Sequence, residues 1–334
     1  MLANNTPPSA IVKHLDRYVI GQEDAKKILA VAVYSHYRKI SGSLKSAEGM
    51  TKSNVLIIGP SGTGKTLLCE TLSRMLGVPF VTADATSLAQ TRYVSEEIEA
   101  ILQRLVEQAD GDIDKAQCGI VFIDEIDKLK AADGQSRAVS GESVQHALLK
   151  IMEGFPVKLK DNRYIDTANI LFICGGAFIG LDKIRSKTRN FGYFATTGDD
   201  NQSILDRLNN RIKPGDLFEF GLIPEFTGRL PIIANFQPLS KGMLARIMTE
   251  PKNSIYQQYV DIFRNEGVEL TIAPRVFEQI AELAIEYQTG ARSLRGIFEE
   301  LMTPILYAVP DDPTIQKVAI ASLFEEPSLL RGPE

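Results

Sequence analysis

The sequence predicts an α/β domain followed by a smaller domain that is mainly α-helical. The apolar run Val55–Ile58 leads through a glycine-rich turn into a helical pattern, which is the order strand, loop, helix. Two further apolar runs, at residues 119–123 and 170–174, have the length of buried strands, and amphipathic helical stretches lie between them. Strands that alternate with helices along a chain are typical of an α/β fold.

The composition changes after Pro238, where the pattern becomes mostly helical and the strands are short. A chain of 334 residues is long enough for about two domains, each with its own core. We therefore predict a large α/β domain at residues 1–239 and a small α-rich domain at residues 240–334.

The charge of the chain favours protein partners over nucleic acid. Lys and Arg number 37 against 42 Asp and Glu, so the formal net charge is −5, the wrong sign for a general nucleic-acid surface. No apolar run approaches about eighteen residues, and the N-terminus lacks a secretory signal pattern, so neither membrane insertion nor export is indicated. Cys69, Cys118 and Cys174 have no paired spacing and are predicted to be reduced thiols of a cytoplasmic protein.

The residues after the first strand predict a site for nucleotide phosphates. They fit the pattern Gly-x-x-x-x-Gly-Lys-Ser/Thr at every fixed position: Gly59, Pro60, Ser61, Gly62, Thr63, Gly64, Lys65 and Thr66. Because Gly62 and Gly64 lack a Cβ, the loop can curl so that its N–H groups and the following helix N-terminus point at phosphate oxygens. Lys65 is predicted to neutralise the β- and γ-phosphates of ATP, and Thr66 to bind Mg²⁺.

Two carboxylates at the end of the second buried strand predict the other half of an ATP-hydrolysing site. Asp124 and Glu125 follow directly after the apolar run. Asp124 is predicted to hold the Mg²⁺ ion, and Glu125 to orient or deprotonate the attacking water. Phosphoryl transfer needs both, because it depends on positioning and on stabilising charge.

Two apolar pairs have two interpretations each from the residues alone. Val19 and Ile20 lie at a helix entry, where they can form a wall for an adenine ring or a hydrophobic staple within the fold. Tyr93 and Val94 lie among polar residues before a helix predicted at residues 96–108. An aromatic residue in such a place is more commonly a packing contact.

Two later segments also have two interpretations each. Arg229 lies in a turn framed by glycine and proline, where an arginine can complete a neighbour's ATP site or form an ordinary surface ion pair. Residues 191–194 are an aromatic cluster inside a polar stretch, which is either an exposed docking tip or a loop packed back on the core.

Seven segments of the chain together resemble the AAA+ protein unfoldases of the ClpX type. They are YVIGQEDAKK, GPSGTGKT, GIVFIDEIDK, VSGESVQHALLKIMEG, ILFICGGAFIGLDK, FGLIPEFTGRLP and TGARSLR, and the resemblance extends over residues 11–320. It implies an AAA+ P-loop NTPase large domain with a five-stranded parallel sheet and helices on both faces. It also implies a small, mainly α-helical C-terminal domain, a nucleotide bound between the two domains, and a ring of six identical subunits.

The resemblance implies roles for residues of the nucleotide site. It places Val19 and Ile20 in the adenine pocket and includes Leu67 with the phosphate loop. Arg292, at the start of the last long helix, is the implied sensor of the γ-phosphate. ATP and Mg²⁺ are the expected cofactors, and no zinc is expected because the family's cysteine-ligated zinc domain has no counterpart in the sequence.

Further roles implied by the resemblance concern hydrolysis, substrate and partner. Glu125 would act in hydrolysis and Arg229 would be the finger supplied to the next subunit. Tyr93 and Val94 would lie on the pore loop that grips the translocating polypeptide, which reverses the packing interpretation of Tyr93. Phe191-Gly192-Tyr193 would be the tripeptide that docks on a ClpP-like peptidase.

The function predicted is therefore that of an ATP-dependent unfoldase with no peptidase activity of its own. It would thread unfolded or tagged proteins through a hexameric pore for a ClpP-like peptidase, with neither nucleic acid nor membrane as a partner. A stand-alone remodelling chaperone, or an ATP-switched assembly or nucleic-acid motor, is the alternative. The family's Arg-Lys-His triplet is missing, and Lys158, Lys160 and Arg163 are expected to replace part of its charge.

Overall fold

The computed structural model describes residues 6–42, 52–91, 93–130, 141–189 and 211–332. These residues pack as two compact units. So far as they are described, the first unit comprises residues 1–9, 24–60 and 72–235, and the second comprises residues 10–23, 61–71 and 236–334.

The secondary structure alternates strands and helices in the first half of the chain and becomes mostly helical in the second. The strands are β1 (Val55–Ile58), β2 (Phe80–Asp84), β3 (Ile120–Asp124), β4 (Pro156–Lys158), β5 (Tyr164–Asp166), β6 (Leu171–Gly176), β7 (Ile232–Asn235), β8 (Glu269–Ile272), β9 (Ile315–Ile320) and β10 (Ser328–Arg331). The helices before residue 130 are α1 (Pro8–Leu15), α2 (Glu23–Ile40), α3 (Lys65–Leu76), α4 (Ala85–Gln90), α5 (Val94–Glu107) and α6 (Ile113–Ala116). The later helices are α7 (Gly141–Glu153), α8 (Leu181–Arg189), α9 (Pro214–Phe220), α10 (Pro224–Gly228), α11 (Lys241–Thr249), α12 (Ile255–Asn265), α13 (Pro274–Glu286) and α14 (Arg292–Ala308).

The first unit is built on a five-stranded sheet in the order β2-β3-β6-β1-β7, and every pairing in it is parallel. Val55 of β1 is in register with Ile173 of β6 on one side and with Ile232 of β7 on the other. The α/β fold and the five-stranded parallel sheet predicted for this part of the chain are confirmed. Because all five strands run the same way, their carboxyl ends lie along one edge of the sheet.

Burial explains why the central strands are continuous apolar runs. Every residue of β1 and β6 is buried, as are the first four residues of β3. A parallel strand is covered on both faces, so neither face needs polar residues. The helix α5 shows the complementary pattern, with Ile98, Ile101, Leu102 and Leu105 buried at helical spacing in the core of this unit.

A short hairpin in the first unit was not predicted from the sequence. The strands β4 and β5 pair antiparallel, and a tight turn with Asn162 in the left-handed region (φ 65°) connects them. Each strand has three residues. Their one inward pair is the half-buried Val157 opposite the buried Ile165, so the alternation is too brief to be recognised in the sequence.

The second unit contains α11 to α14 and a three-stranded sheet in the order β10-β9-β8. Its core includes Phe263 from α12, Phe277 from α13 and Phe298 from α14, and the last two rings stack with centroids 6.3 Å apart. The strand β10 was not predicted, because three of its four residues are exposed and its contact with the core is made by Leu329. This unit is mainly helical, as expected.

The three cysteines are free thiols, in agreement with the sequence prediction of reduced cysteines. Cys69 and Cys174 are buried, whereas Cys118 is half-buried. Burial raises the pKa of the Cys174 thiol to about 12. Across the described residues, no helix has both the length and the apolar character required to span a bilayer.

Candidate functional site

The start of the phosphate loop and the acid pair meet at the carboxyl edge of the sheet, on either side of β6. The Gly59 N–H donates to the Gly176 carbonyl at 3.1 Å. On the other side of β6, a Cβ built on Gly175 would lie 2.7 Å from the Phe122 ring and 3.4 Å from Asp124 Oδ1. Gly175 therefore leaves room for the Phe122 ring and the Asp124 carboxylate, and the Gly176 carbonyl holds the start of the phosphate loop on the other side of β6.

The acid pair has a constrained backbone. The Glu125 N–H donates to Asp124 Oδ1 at 2.8 Å. Glu125 has φ 58° and ψ 29°, the left-handed region that residues with a side chain rarely adopt, and a 3₁₀ turn at Ile126–Leu129 follows it. Strained backbone held by its surroundings is found preferentially at functional sites. The geometry thus singles out Glu125, the residue predicted to act on the water.

Asp127 is a buried carboxylate that the sequence analysis missed. It is 5% exposed, and its two oxygens accept N–H groups from Ala177 at 3.2 Å and Phe178 at 3.3 Å. A Cβ on Gly176 would lie 2.5 Å from Asp127 Oδ1. The signal in the sequence was the Gly-Gly pair at the end of an apolar strand, since glycine in a strand often marks a close approach.

Within the second unit, the remainder of the phosphate loop has the conformation that anion binding requires. Gly62 and Gly64 have φ of 76° and 92°, and apart from its chain neighbours no described residue lies within 4 Å of where a Gly64 Cβ would be. The helix α3 begins at Lys65, and the Leu68 N–H donates to the Gly64 carbonyl at 3.0 Å. A helix N-terminus with a lysine and Thr66 in its first turn fits a nucleotide phosphate with its Mg²⁺ ion.

Arg292 lies next to the phosphate loop in the second unit. The Ala291 N–H donates to the Gly62 carbonyl at 3.3 Å, and Arg292 is the first residue of α14. A Cβ on Gly62 would lie 2.7 Å from the Thr289 carbonyl oxygen, so this contact also needs a glycine. The structure therefore brings the predicted loop and the turn before the predicted γ-phosphate sensor into contact.

Val19 and Ile20 are buried in the second unit, with 4% and 6% exposure. The chain bends just after them at Gly21 (φ 70°), where a Cβ would overlap the Met243 side chain. Gln22 then exchanges two hydrogen bonds of 2.8 Å with the backbone of Gln237. The turn is thus fixed by contacts within its own unit, and the adenine role of the apolar pair stays a prediction.

Arg229 forms an ion pair within its own chain. It caps the C-terminus of α10, and its Nη2 lies 2.6 Å from Oε1 of Glu153, the last residue of α7. Its carbonyl accepts a hydrogen bond of 3.2 Å from Asn54 Nδ2. The surface ion pair that we considered as the alternative for this arginine is therefore present, while its role toward a neighbouring subunit stays a prediction. Sequence reasoning missed both partners, since neither is close to Arg229 in sequence.

Tyr93 projects from the fold, whereas Val94 does not. Tyr93 is 63% exposed and precedes α5, which begins at Val94, two residues before the predicted start of this helix. Val94 is half-buried and packs against the core of the first unit. The exposure of Tyr93 excludes the packing contact that its position alone favoured. The predicted docking tripeptide Phe191-Gly192-Tyr193 lies outside the described residues.

Of the three basic residues around the β4–β5 turn, Arg163 is committed to local partners. Its Nη2 lies 2.6 Å from Asp161 Oδ2, and its Nη1 donates to the Gly111 carbonyl at 3.0 Å. Hydrogen bonds from Arg163 lower the pKa of the Asp161 carboxyl. Arg163 is therefore already paired with Asp161, and the replacement of the missing charge by Lys158, Lys160 and Arg163 stays a prediction.

Comparison with known proteins gives matches along most of the chain. Residues 50–233 match the AAA domain (Cdc48 subfamily), and residues 239–319 match the C-terminal, D2-small domain of ClpB protein. The chain is 43% identical over 349 residues to the ATP-dependent Clp protease ATP-binding subunit ClpX 3 of Methylococcus capsulatus, with 96% of this chain and 80% of that protein covered.

Two more relatives are described as ATP-dependent Clp protease ATP-binding subunit ClpX. That of Treponema denticola is 45% identical over 320 residues, covering 91% of this chain and 77% of the relative. That of Bacteroides thetaiotaomicron is 45% identical over 324 residues, covering 91% and 78%. The similarity therefore includes both the α/β and the α-rich parts of the chain.

The contact between Gly176 and Asp127 generates a stability prediction. Gly176→Ala is expected to destabilise the protein by about 1–3 kcal/mol, because the new methyl group overlaps a buried carboxylate and the Phe178 ring. Thermal unfolding followed by circular dichroism measures the loss. Gly215→Ala is the control, since no described residue lies within 4 Å of where its Cβ would be and it belongs to the same unit. Equal unfolding midpoints for the two variants would contradict this assignment.

Proposed function

The chain belongs to the ClpX family of AAA+ ATPases, and on that premise we propose that it assembles into a hexameric ring that pulls protein substrates through its pore. It is an ATP-binding protein whose ATP hydrolysis serves protein unfolding in a Clp protease system. The observation that carries the proposal is the position of Gly59 and Asp124 against the glycine pair that ends β6, with Glu125 directly after Asp124 in the left-handed conformation. Unfolded or tagged proteins are the proposed substrates.

Each site residue has a chemical task in this proposal. Lys65 neutralises phosphate charge, and the N–H groups at the start of α3 orient the phosphate chain. Thr66 and Asp124 supply the oxygen ligands that fit Mg²⁺, and the bound ion stabilises charge on the phosphate oxygens. Glu125 accepts a proton from the attacking water or holds it in line.

Residues outside the loop complete the ATP site in this proposal. Arg229 of one subunit supplies positive charge to the transferring phosphate bound by the next subunit. Arg292 reports on the γ-phosphate at the start of α14, and Val19 and Ile20 contact the adenine ring. Since the finger belongs to another copy of the chain, hydrolysis depends on assembly.

Glu125→Gln tests the catalytic assignment. The amide keeps the size of the side chain but cannot accept the proton, so ATP binding is expected to persist while turnover falls by about 100-fold or more. Fluorescent-nucleotide titration measures binding, and phosphate release measures turnover. Glu97 is an exposed glutamate on α5, so Glu97→Gln is the control and should hydrolyse ATP at the parental rate. Turnover at that rate in Glu125→Gln would remove the assignment.

Tyr93→Ala tests translocation. A bulky exposed ring grips irregular polypeptide through van der Waals contact, so its removal is expected to slow substrate unfolding several-fold and to spare ATP hydrolysis. The assay follows loss of fluorescence from a stable fluorescent protein that carries an unstructured tail, in the presence of ATP. Tyr307→Ala is the matched control, because this tyrosine is also exposed and lies on α14.

Two observations, one from that assay and one from ATPase measurements, would contradict the proposal. Parental unfolding rates in Tyr93→Ala would show that another residue grips the substrate. Stimulation of the ATPase by DNA but not by unfolded protein would support the nucleic-acid motor, which the comparisons do not favour. A chain that unfolds this substrate but forms no complex with a ClpP-like peptidase would instead be a stand-alone chaperone.

Two observations support a complex with a ClpP-like peptidase. The relatives are ATP-binding subunits of the Clp protease, and the chain contains the tripeptide Phe191-Gly192-Tyr193. An aromatic tip that enters an apolar cleft contributes about 1.5–3 kcal/mol per buried side chain. Several weak tips on one ring add through effective concentration. ATP-loaded protein is expected to co-sediment with the ClpP-like peptidase from the same source, and the Phe191→Ser, Tyr193→Ser double variant should not. No complex with the parent would defeat the partnership, while a complex with the double variant would move docking to another surface.

A further inference from the structure

The Arg229 guanidinium makes one ion pair within the described part of the chain. Its Nη2 lies 2.6 Å from Glu153 Oε1, and among the described residues Glu153 is the one side chain that offers it an acceptor. The side chains of Arg229 and Glu153 are 40% and 43% exposed. A guanidinium has five N–H donors in a planar fork, so one contact leaves most of them for another anion.

The backbones of both partners are fixed by a single buried side chain. Asn54 is fully buried just before β1, and its Nδ2 donates to the carbonyls of Met152 at 3.3 Å and Arg229 at 3.2 Å. Its Oδ1 accepts the Phe172 N–H at 3.4 Å. Because Met152 precedes Glu153, one amide sets the relative position of the two residues that form the ion pair.

A purely stabilising role does not explain this arrangement well. Exposed ion pairs add little to stability, since water screens them and two long side chains must be ordered. The buried amide already secures the two segments. What the Glu153 carboxylate adds is a restriction on the rotamers of the Arg229 side chain, which is otherwise free to swing in solvent.

We infer that Glu153 is a positioning residue for Arg229: it holds one edge of the guanidinium so that the remaining donors are pre-organised for the phosphate of the neighbouring subunit. This inference rests on the proposed finger role of Arg229. Glu153 touches neither ATP nor the reacting atoms, so it acts through Arg229 alone. Its removal is expected to lower the maximal rate and to leave KM for ATP unchanged, because the ordered finger acts on the transition state.

A set of substitutions at residue 153 separates position from charge. Glu153→Ala is expected to lower kcat for ATP hydrolysis by about two- to fivefold, the range set by the strength of a half-exposed ion pair. Glu153→Gln keeps an oxygen acceptor at the same reach and is expected to retain most of the parental kcat. Glu153→Asp keeps the charge but draws the acceptor back by one methylene group, so it should resemble the alanine variant.

Controls make each outcome decisive. All three variants should have the same thermal unfolding midpoint as the parent. Glu250→Ala, which breaks a comparably exposed ion pair with Arg246, should leave kcat unchanged. Parental or raised kcat in Glu153→Ala overturns the inference, and so does a parental rate in Glu153→Asp combined with a low rate in Glu153→Gln.

Arg229→Ala is measured in parallel. If that variant hydrolyses ATP at the parental rate, the finger role itself has failed, whereas a loss in Arg229→Ala without a loss in Glu153→Ala refutes the positioning role alone.

Discussion

The arrangement of the first unit depends on the missing side chains at Gly175 and Gly176. A Cβ on Gly175 would lie against the Phe122 ring and the Asp124 carboxylate, and a Cβ on Gly176 would lie against the Asp127 carboxylate and the Phe178 ring. A methyl group at either glycine would overlap one of them. The parallel sheet brings strand ends to one edge, but it is the small size of these two residues that lets the chemistry-bearing groups converge there.

Much of the fold and part of the site could be predicted because they depend on local patterns. Long apolar runs predicted β1, β3 and β6, and the spacing of Gly62, Gly64 and Lys65 predicted a phosphate loop that opens a helix. The loop conformation agrees with that prediction.

What could not be predicted depends on contacts between distant residues or on very short elements. The exposure of Tyr93 is a tertiary property, since a tyrosine among polar residues can lie on either side of the surface. The links of Asn54 and Glu153 to Arg229 join residues far apart in sequence and follow no periodic pattern. The β4–β5 hairpin has too few residues to show alternation, and the ion pair that occupies Arg163 depends on the geometry of its turn.

The left-handed backbone at Glu125 sets stability and activity against each other at one residue. A glycine would adopt this conformation without a steric penalty. Replacing the glutamate by glycine would therefore raise the free energy of unfolding. Because the carboxylate is the group proposed to act on the water, that gain would remove the chemistry. The site therefore holds a permanent compromise, in which part of the folding free energy is given up to keep a reactive group in place.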